Sequence, residues 1–535
     1  MNLNSKKIAI ILVTIIFLIA FFIRIQLNEP IETHPGNMHS ANALYHALAA
    51  DSIANGDDPF SYPPYLADNK DNIINIVSQH QAFIIAPILK LTGIPEWNLS
   101  ALIVALLSAL AIPLMYLLTK KIFKSEIAGI LSATLIAVPL NLQSWIYYTY
   151  IGIWLQSSAM TFILATFLLA FMYYEKPRNW KLLALSIVST ALFLLFPIAL
   201  LITIPILIAV LFKIYKEKDK LLLYSSFPMV SVLIALPIYY IGYFTSESYT
   251  SFGINSIKEV FTSHPFIVGF SGFPILISIL FALGAIQLLL NYKRYKPIVL
   301  YAIYFFTLLF LIPYIAPHGI KIYIMRMWST LPYVVFPIAA YGTAALIKLA
   351  SEKTKINKLL ILILIIILIG IFAFPQYTAT KDLVTYENIN LEKYNGLKWI
   401  QDNTPEDAMV ITVEGAYQGE SYYTKRITNT IAIEEVANKI NSLASTNFLN
   451  LSFAQGWSNT ARWSKHRYKT GYLSYDTHEP LEAPEMIYDY DIVFMQNMDP
   501  TIAQYNSILA EELIQNHNFK KVHEEGGIII LQNEA

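Results

Sequence analysis

The residues best suited to chemistry stand in three places along this 535-residue chain. The segment from Leu27 to about Leu99 carries Glu32, His34, His39, His46, Asp51, Asp57, Asp58 and His80. A carboxylate or imidazole there can take a proton from a hydroxyl. Asp57 and Asp58 stand out as adjacent acids just before Pro59, and Asp58 can equally be a turn residue. Glu259, beside Lys258, and Arg326 lie near the ends of long apolar runs. At such a membrane end a charge costs free energy unless it is paired or used; snorkelling to the surface is the ordinary alternative for Arg326, and a plain charged loop for Glu259. There is no cysteine, which excludes disulfides, thiolate nucleophiles and Cys-ligated metals. His39 and His46 are two helical turns apart, too far to share one metal without a loop ligand, so a divalent ion stays open but is not favoured. Trp145, Tyr147, Tyr148, Tyr150 and Trp154 form either an interfacial belt or a surface for sugar stacking.

The elements that must hold these residues are membrane helices. Hydrophobic residues make up 56% of the chain, charged residues 14%, and the mean hydropathy is +0.49, values that point to lipid as part of the solvent. The net charge is zero, so no basic excess points to nucleic acid. A bilayer core of about 30 Å requires about 20 apolar residues per helix. Eleven segments are expected to span: 8–26, 99–119, 127–142, 151–174, 182–196, 198–212, 221–244, 266–290, 298–316, 329–349 and 359–374. The stretch 182–212 is long for one span and short for two; lysines on both sides and Pro197 in its middle favour a hairpin.

Lysine and arginine cluster at alternate ends, at Lys6 and Lys7, Lys120 to Lys124, Lys176 to Lys181, Lys213 to Lys220, Lys293 to Lys296 and Lys348 to Lys358. That asymmetry places those ends and the N-terminus in the cytoplasm, and the tail after Pro375 outside. The expected division is a transmembrane domain over 1–375, with a large first outer loop at 27–98, and an extracytoplasmic α/β domain over 376–535. Phe83 to Leu91 is too short to span and is expected on or in the membrane surface. In the tail, Leu391–Asn403 and Ile502–Gln515 read as helices, and Met409–Thr412 and Ile492–Met495 as strands. No repeat, P-loop or GxGxxG motif is present.

Four local patterns resemble the GT-C superfamily of membrane glycosyltransferases, and in particular the catalytic subunit of oligosaccharyltransferase. Asn42-Ala-Leu-Tyr-His46, running through Gly56 to Asp57-Asp-Pro-Phe60, is similar to the DPYYH stretch and the helix after it. Trp399 to Thr412 is the longest match and resembles the start of that family's outer domain. Ser256-Ile-Lys-Glu259 is similar to the motif of a mobile outer loop, and Arg326, followed by Pro332 and Gly342, to an arginine near the lipid pyrophosphate. The resemblance implies transfer of a sugar or oligosaccharide from a polyprenyl-phosphate donor to an acceptor at the outer face, with Asp58 and Asp57 as candidate bases and Arg326 on the donor phosphate. The departures are equally definite. The family's first-loop aspartate falls on Asn42, its second acidic cluster on Tyr150-Ile-Gly-Ile153, and its WWDYG motif on Val413-Glu-Gly-Ala-Tyr417. An ordinary protein N-glycosylating enzyme is therefore not expected. A different GT-C transferase or a non-catalytic scaffold derived from one fits better, and a transporter or flippase of lipid-linked substrates ranks lower because the spans carry almost no charge.

Overall fold

The computed structural model describes residues 3–26, 31, 39–56, 76–138, 154–195, 199–217, 226, 230–231, 275–315, 330–383, 388–413, 419–431, 487–488, 490–497 and 500–534. These form two compact units, one of residues 1–25, 103–149 and 154–380, the other of residues 26–102, 150–153 and 381–535.

The first unit is helical: α1 (Leu3–Gln26), α4 (Glu96–Phe123, whose first turns to Leu102 belong to the second unit), α5 (Glu126–Ala137), α6 (Trp154–Glu175), α7 (Asn179–Leu195), α8 (Ala199–Glu217), α9 (Ile275–Leu290), α10 (Tyr292–Ile315), α11 (Pro332–Thr354) and α12 (Lys358–Leu383). Four of the described helices are long and apolar enough to cross a membrane, at Lys6–Gln26, Glu96–Phe123, Ser157–Glu175 and Pro332–Thr354; others, such as Ile275–Leu290 and Lys358–Phe374, are apolar but shorter. The expected hairpin at Pro197 corresponds to two helices, α7 and α8, both packed on α6. Most of the expected span 221–244 lies outside the described residues.

Basic residues at these helix ends find partners. Lys120 Nζ lies 2.8 Å from Glu126, Tyr116 also donates to Glu126, and Lys121 Nζ lies 2.5 Å from Glu175. Lys181 donates to the carbonyls of Met172 and Lys176, each at 2.8 Å, at the C-terminal end of α6. Pro332, noted above for its resemblance, is in the first turn of α11, where its missing N–H costs nothing. Gly342 has a packing reason of its own. A Cβ on it would stand 2.6 Å from the backbone N of Gly284, and one on Gly284 2.0 Å from the carbonyl O of Ile338, so α9 and α11 cross with their backbones in contact.

The second unit joins the first loop to the C-terminal segment. Strand β1 (His39–Ser40) pairs antiparallel with β2 (Asn388–Ile389), and α2 (Ala41–Asn55) packs against α3 (Ile76–Thr92). The C-terminal part holds α13 (Leu391–Asn403), β3 (Met409–Val413), α14 (Gly419–Thr424), β4 (Ile427–Ile431), β5 (Ile492–Gln496), α15 (Pro500–Asn516), β6 (Phe519–Glu525) and β7 (Ile528–Asn533). Its five-stranded sheet has the order β4-β3-β5-β7-β6, with β3 parallel to β4 and β5, and β7 antiparallel to β5 and β6. Every residue of the central strand β5 is buried, as a strand covered on both faces requires. Ile411, Val493, Met495, Leu513 and Leu531 share one core. The β6–β7 hairpin turns on Gly526 and Gly527, both at positive φ (58° and 81°), the conformation a two-residue type I′ turn demands.

Candidate functional site

The longest motif of resemblance, residues 399–412, is a helix-to-strand scaffold. Asn390 caps α13 by accepting from the Lys393 N–H at 2.9 Å, Thr404 ends it, and Ile400, Val410 and Ile411 are buried. The Met409 N–H donates to Asp491 at 2.7 Å, and Arg426 Nη2 donates to the carbonyls of Gln401 (3.1 Å) and Thr404 (2.7 Å). These residues hold the C-terminal turn of α13 and the start of β3 in place.

Two ionic features lie next to that scaffold. Lys393 of α13 and Glu420 of α14 form an ion pair at 2.5 Å with side-chain exposures of 1% and 0%. The pair fixes α14 against α13, aided by the perpendicular contact of Tyr394 and Tyr423 at 4.9 Å. So held, α14 turns its next residues toward the first loop. Tyr422 OH donates to Glu96 at 2.7 Å, and Lys425 Nζ lies 4.0 Å from Asp51 and 4.7 Å from the centre of the Tyr422 ring. Asn55 also donates to Asp51, at 3.2 Å. Burial, and after it the Glu96 carboxylate, pushes the Tyr422 hydroxyl well above its ordinary pKa, so it remains a neutral donor.

These contacts, with the β1–β2 pairing, join the first loop to the C-terminal segment within the second unit. Asp51 is partly exposed and has Lys425 beside it. Glu96 and Tyr422 were not recognisable as partners in sequence, 326 residues apart.

Of the residues singled out from the sequence, Asp57, Asp58, Glu259 and Arg326 lie outside the described residues, as do Glu32 and His34. Asn42 is in the first turn of α2, and His46 is buried in the same helix. Trp154 is fully buried at the start of α6, whereas the other belt aromatics fall outside the described residues. Among the described residues no three His, Asp or Glu side chains converge in a way that could hold a metal ion.

No family model matches the sequence, and no curated protein matches it. Solved structures do. The chain is similar to ArnT from Cupriavidus metallidurans bound to undecaprenyl phosphate, at 12% identity over 98% of each chain with a TM-score of 0.51. It is also similar to the Archaeoglobus fulgidus oligosaccharyltransferase tethered with an acceptor peptide, at 16% identity over 78% of this chain with a TM-score of 0.45; there it covers only 64% of the other chain, less than two thirds. The complex of that organism's AglB with an inhibitory peptide and a dolichol-phosphate matches at 14% identity and a TM-score of 0.47, covering 95% of this chain and 71% of that one. The structural neighbours of this chain are thus GT-C glycosyltransferases, and the likeness to ArnT, running end to end in both chains, is one of fold.

Proposed function

We propose that this protein is a membrane glycosyltransferase that moves a sugar or oligosaccharide from a polyprenyl-phosphate-linked donor to an acceptor at the outer face. The observation that carries the proposal is the likeness of fold to ArnT over 98% of both chains, since the ArnT structure holds undecaprenyl phosphate. The eleven-span topology with cytoplasmic N-terminus and an extracytoplasmic C-terminal α/β domain belongs to the same proposal. So does the assignment of roles: Asp58 and then Asp57 as the base, Glu259 on a mobile outer loop, and Arg326 on the donor phosphate. A lipid-linked donor keeps its tail in the bilayer, so its phosphate waits at headgroup depth, where a residue at the outer end of a span can reach it. The planar guanidinium engages two phosphate oxygens together and stays charged at any relevant pH. Within the described residues, the contacts of Lys425 with Asp51 and of Tyr422 with Glu96 hold the first loop against the C-terminal segment.

The test is a mass-spectrometric comparison of lipid-linked sugars and surface glycans from cells with and without the gene. Loss of a glycan with accumulation of its lipid-linked donor is expected; unchanged pools of both would overturn the proposal. A second reading, a non-catalytic scaffold derived from a transferase, is favoured by Asn42 standing at the family's aspartate. It predicts that the purified protein transfers nothing from any lipid-linked donor, whereas loss of the gene still alters assembly of another transferase.

A further inference from the structure

Helix α8 (Ala199–Glu217) carries a proline in its interior, Pro205. Having no N–H, Pro205 cannot donate to the carbonyl of Leu201 four residues earlier, and its ring crowds that same carbonyl. The surrounding sequence, Leu200-Leu-Ile-Thr-Ile-Pro-Ile-Leu-Ile208, offers one hydroxyl and no other polar side chain. In an apolar helix of a membrane protein no water stands by to take the freed acceptor, and leaving it bare is costly. The donor comes from another helix. On α10 (Tyr292–Ile315) the Tyr304 hydroxyl donates to the Leu201 carbonyl at 2.7 Å, and one turn before it the Tyr301 hydroxyl donates to the Ile202 carbonyl at 2.9 Å.

The two tyrosines do different work. Leu201 has lost its intrahelical donor, whereas the ordinary donor to Ile202 is the N–H of Ile206, which the sequence keeps. Tyr301 therefore adds a second bond to a carbonyl that has two lone pairs, and Tyr304 replaces a missing one. The rings are held by more than their hydroxyls. Tyr301 meets Phe167 of α6 edge-on at 5.6 Å, stacks with Phe305 at 6.3 Å, and lies 6.4 Å from Tyr304. A proline break acts as a joint, because the turns on either side of it lack the bond that would fix their mutual tilt. When the replacement donor sits on a neighbouring helix, the stiffness of the joint depends on that neighbour.

We propose that α8 is a jointed helix and that Tyr304 is the latch that closes its joint: the turns on either side of Pro205 hold one angle only while α10 keeps the Tyr304 hydroxyl on the Leu201 carbonyl. Tyr301 steadies the same turn. The latch couples two helices, so a displacement of α10 that withdraws the hydroxyl frees the first turns of α8 to tilt. Everything it uses lies within the first unit, and it does not depend on the proposed transfer reaction.

The chain has no native cysteine, so a pair of nitroxide labels can be placed without background. Ala199→Cys, at the first residue of α8, and Tyr215→Cys, 78% exposed near its end, bracket Pro205. A straight helix would separate these two positions by about 24 Å, within reach of pulsed dipolar spectroscopy. Label distances are measured on the full chain in nanodiscs, and thermal unfolding on the unlabelled chain, each in four backgrounds: unaltered, Tyr304→Phe, Pro205→Ala and the two together. The latch predicts that Tyr304→Phe broadens the distance distribution about twofold and lowers the midpoint by roughly 2–6 °C. In the Pro205→Ala background the backbone supplies the donor itself, so the same change should leave the width alone and cost less than half as many degrees. Tyr301→Phe should cost the same with or without the proline, because Ile206 donates to Ile202 in both. A midpoint or a width that Tyr304→Phe does not move would overturn the latch. So would an effect of equal size in both backgrounds, which would show that the hydroxyl acts without regard to Pro205. No reading depends on glycosyl transfer, so a failure here is separable from a failure of the proposed function.

Discussion

Replacing Lys393 tests how the C-terminal part of the second unit is held together. Lys393 and Glu420 meet at 2.5 Å with almost no exposure, so each is desolvated and each depends on the other. Lys393→Met leaves the Glu420 carboxylate in a low-dielectric site without its cation, and losing one partner of a buried pair costs about 3–5 kcal/mol. A unit of this size loses about 2–4 °C in midpoint per kcal/mol, which gives a fall of roughly 6–20 °C. Lys393→Met with Glu420→Met removes both charges and keeps the volume, and should recover most of the loss, because an apolar replacement of a buried pair is near neutral. The measurement is thermal unfolding of the full chain in nanodiscs, read by pulse proteolysis with cleavage sites followed in the C-terminal segment, so that the unit's own transition is scored. A single-variant loss below about 1 kcal/mol, the range of exposed pairs, would refute the view that this pair bolts α13 to α14. A double variant as unstable as the single would show that the cost comes from packing, with the charges immaterial.

Further outcomes follow from other contacts. The Tyr422 hydroxyl is held neutral above its ordinary value of 10.0, so its contribution to stability is full below about pH 10 and is lost as pH rises through its folded value; Tyr422→Phe should flatten the alkaline limb of the unit's stability profile, and an unchanged limb would count against the Tyr422–Glu96 contact. Gly284→Ala places a Cβ against the Ile338 carbonyl and forces α9 and α11 apart, so the first unit should lose about 1–3 kcal/mol by thermal unfolding, with no change at all contradicting the backbone contact. On the proposed function, Arg326→Lys should lower donor binding or turnover about 10-fold or more, roughly 1.4 kcal/mol, while Asp58→Asn or Asp57→Asn should lower transfer about 100-fold; kinetics with purified donor decides, and Lys serving as well as Arg at 326 would reduce that residue to a snorkelling anchor. A reporter active only in the cytoplasm should be silent both when inserted after Gly56 and when fused after Ala535, and opposite signals at the two points would contradict the contacts between α2 and α14.

Local pattern was enough for the apolar helices and for part of the C-terminal segment. Leu391–Asn403 reads as a helix in the sequence, and the fold has it over the same residues, with Asn390 as its cap. Strands β3 and β5 show in short apolar runs, because a strand buried on both faces needs no polar alternation. The hairpin β6–β7 was not read from the sequence, since the edge strand Phe519–Glu525 carries Lys520, Lys521, His523 and Glu524 and offers no apolar run. Gly342 stands in a motif of resemblance, yet its need for a bare Cα comes from Gly284 on another helix. The links from Tyr422 to Glu96, from Lys425 to Asp51 and from Lys393 to Glu420 joined residues that no periodicity connects. Sequence determined which segments seek lipid and which seek a core, because burial preference is a property of each side chain. Tertiary structure alone decided which charges are paired, because an ion pair depends on two positions brought together by everything folded between them.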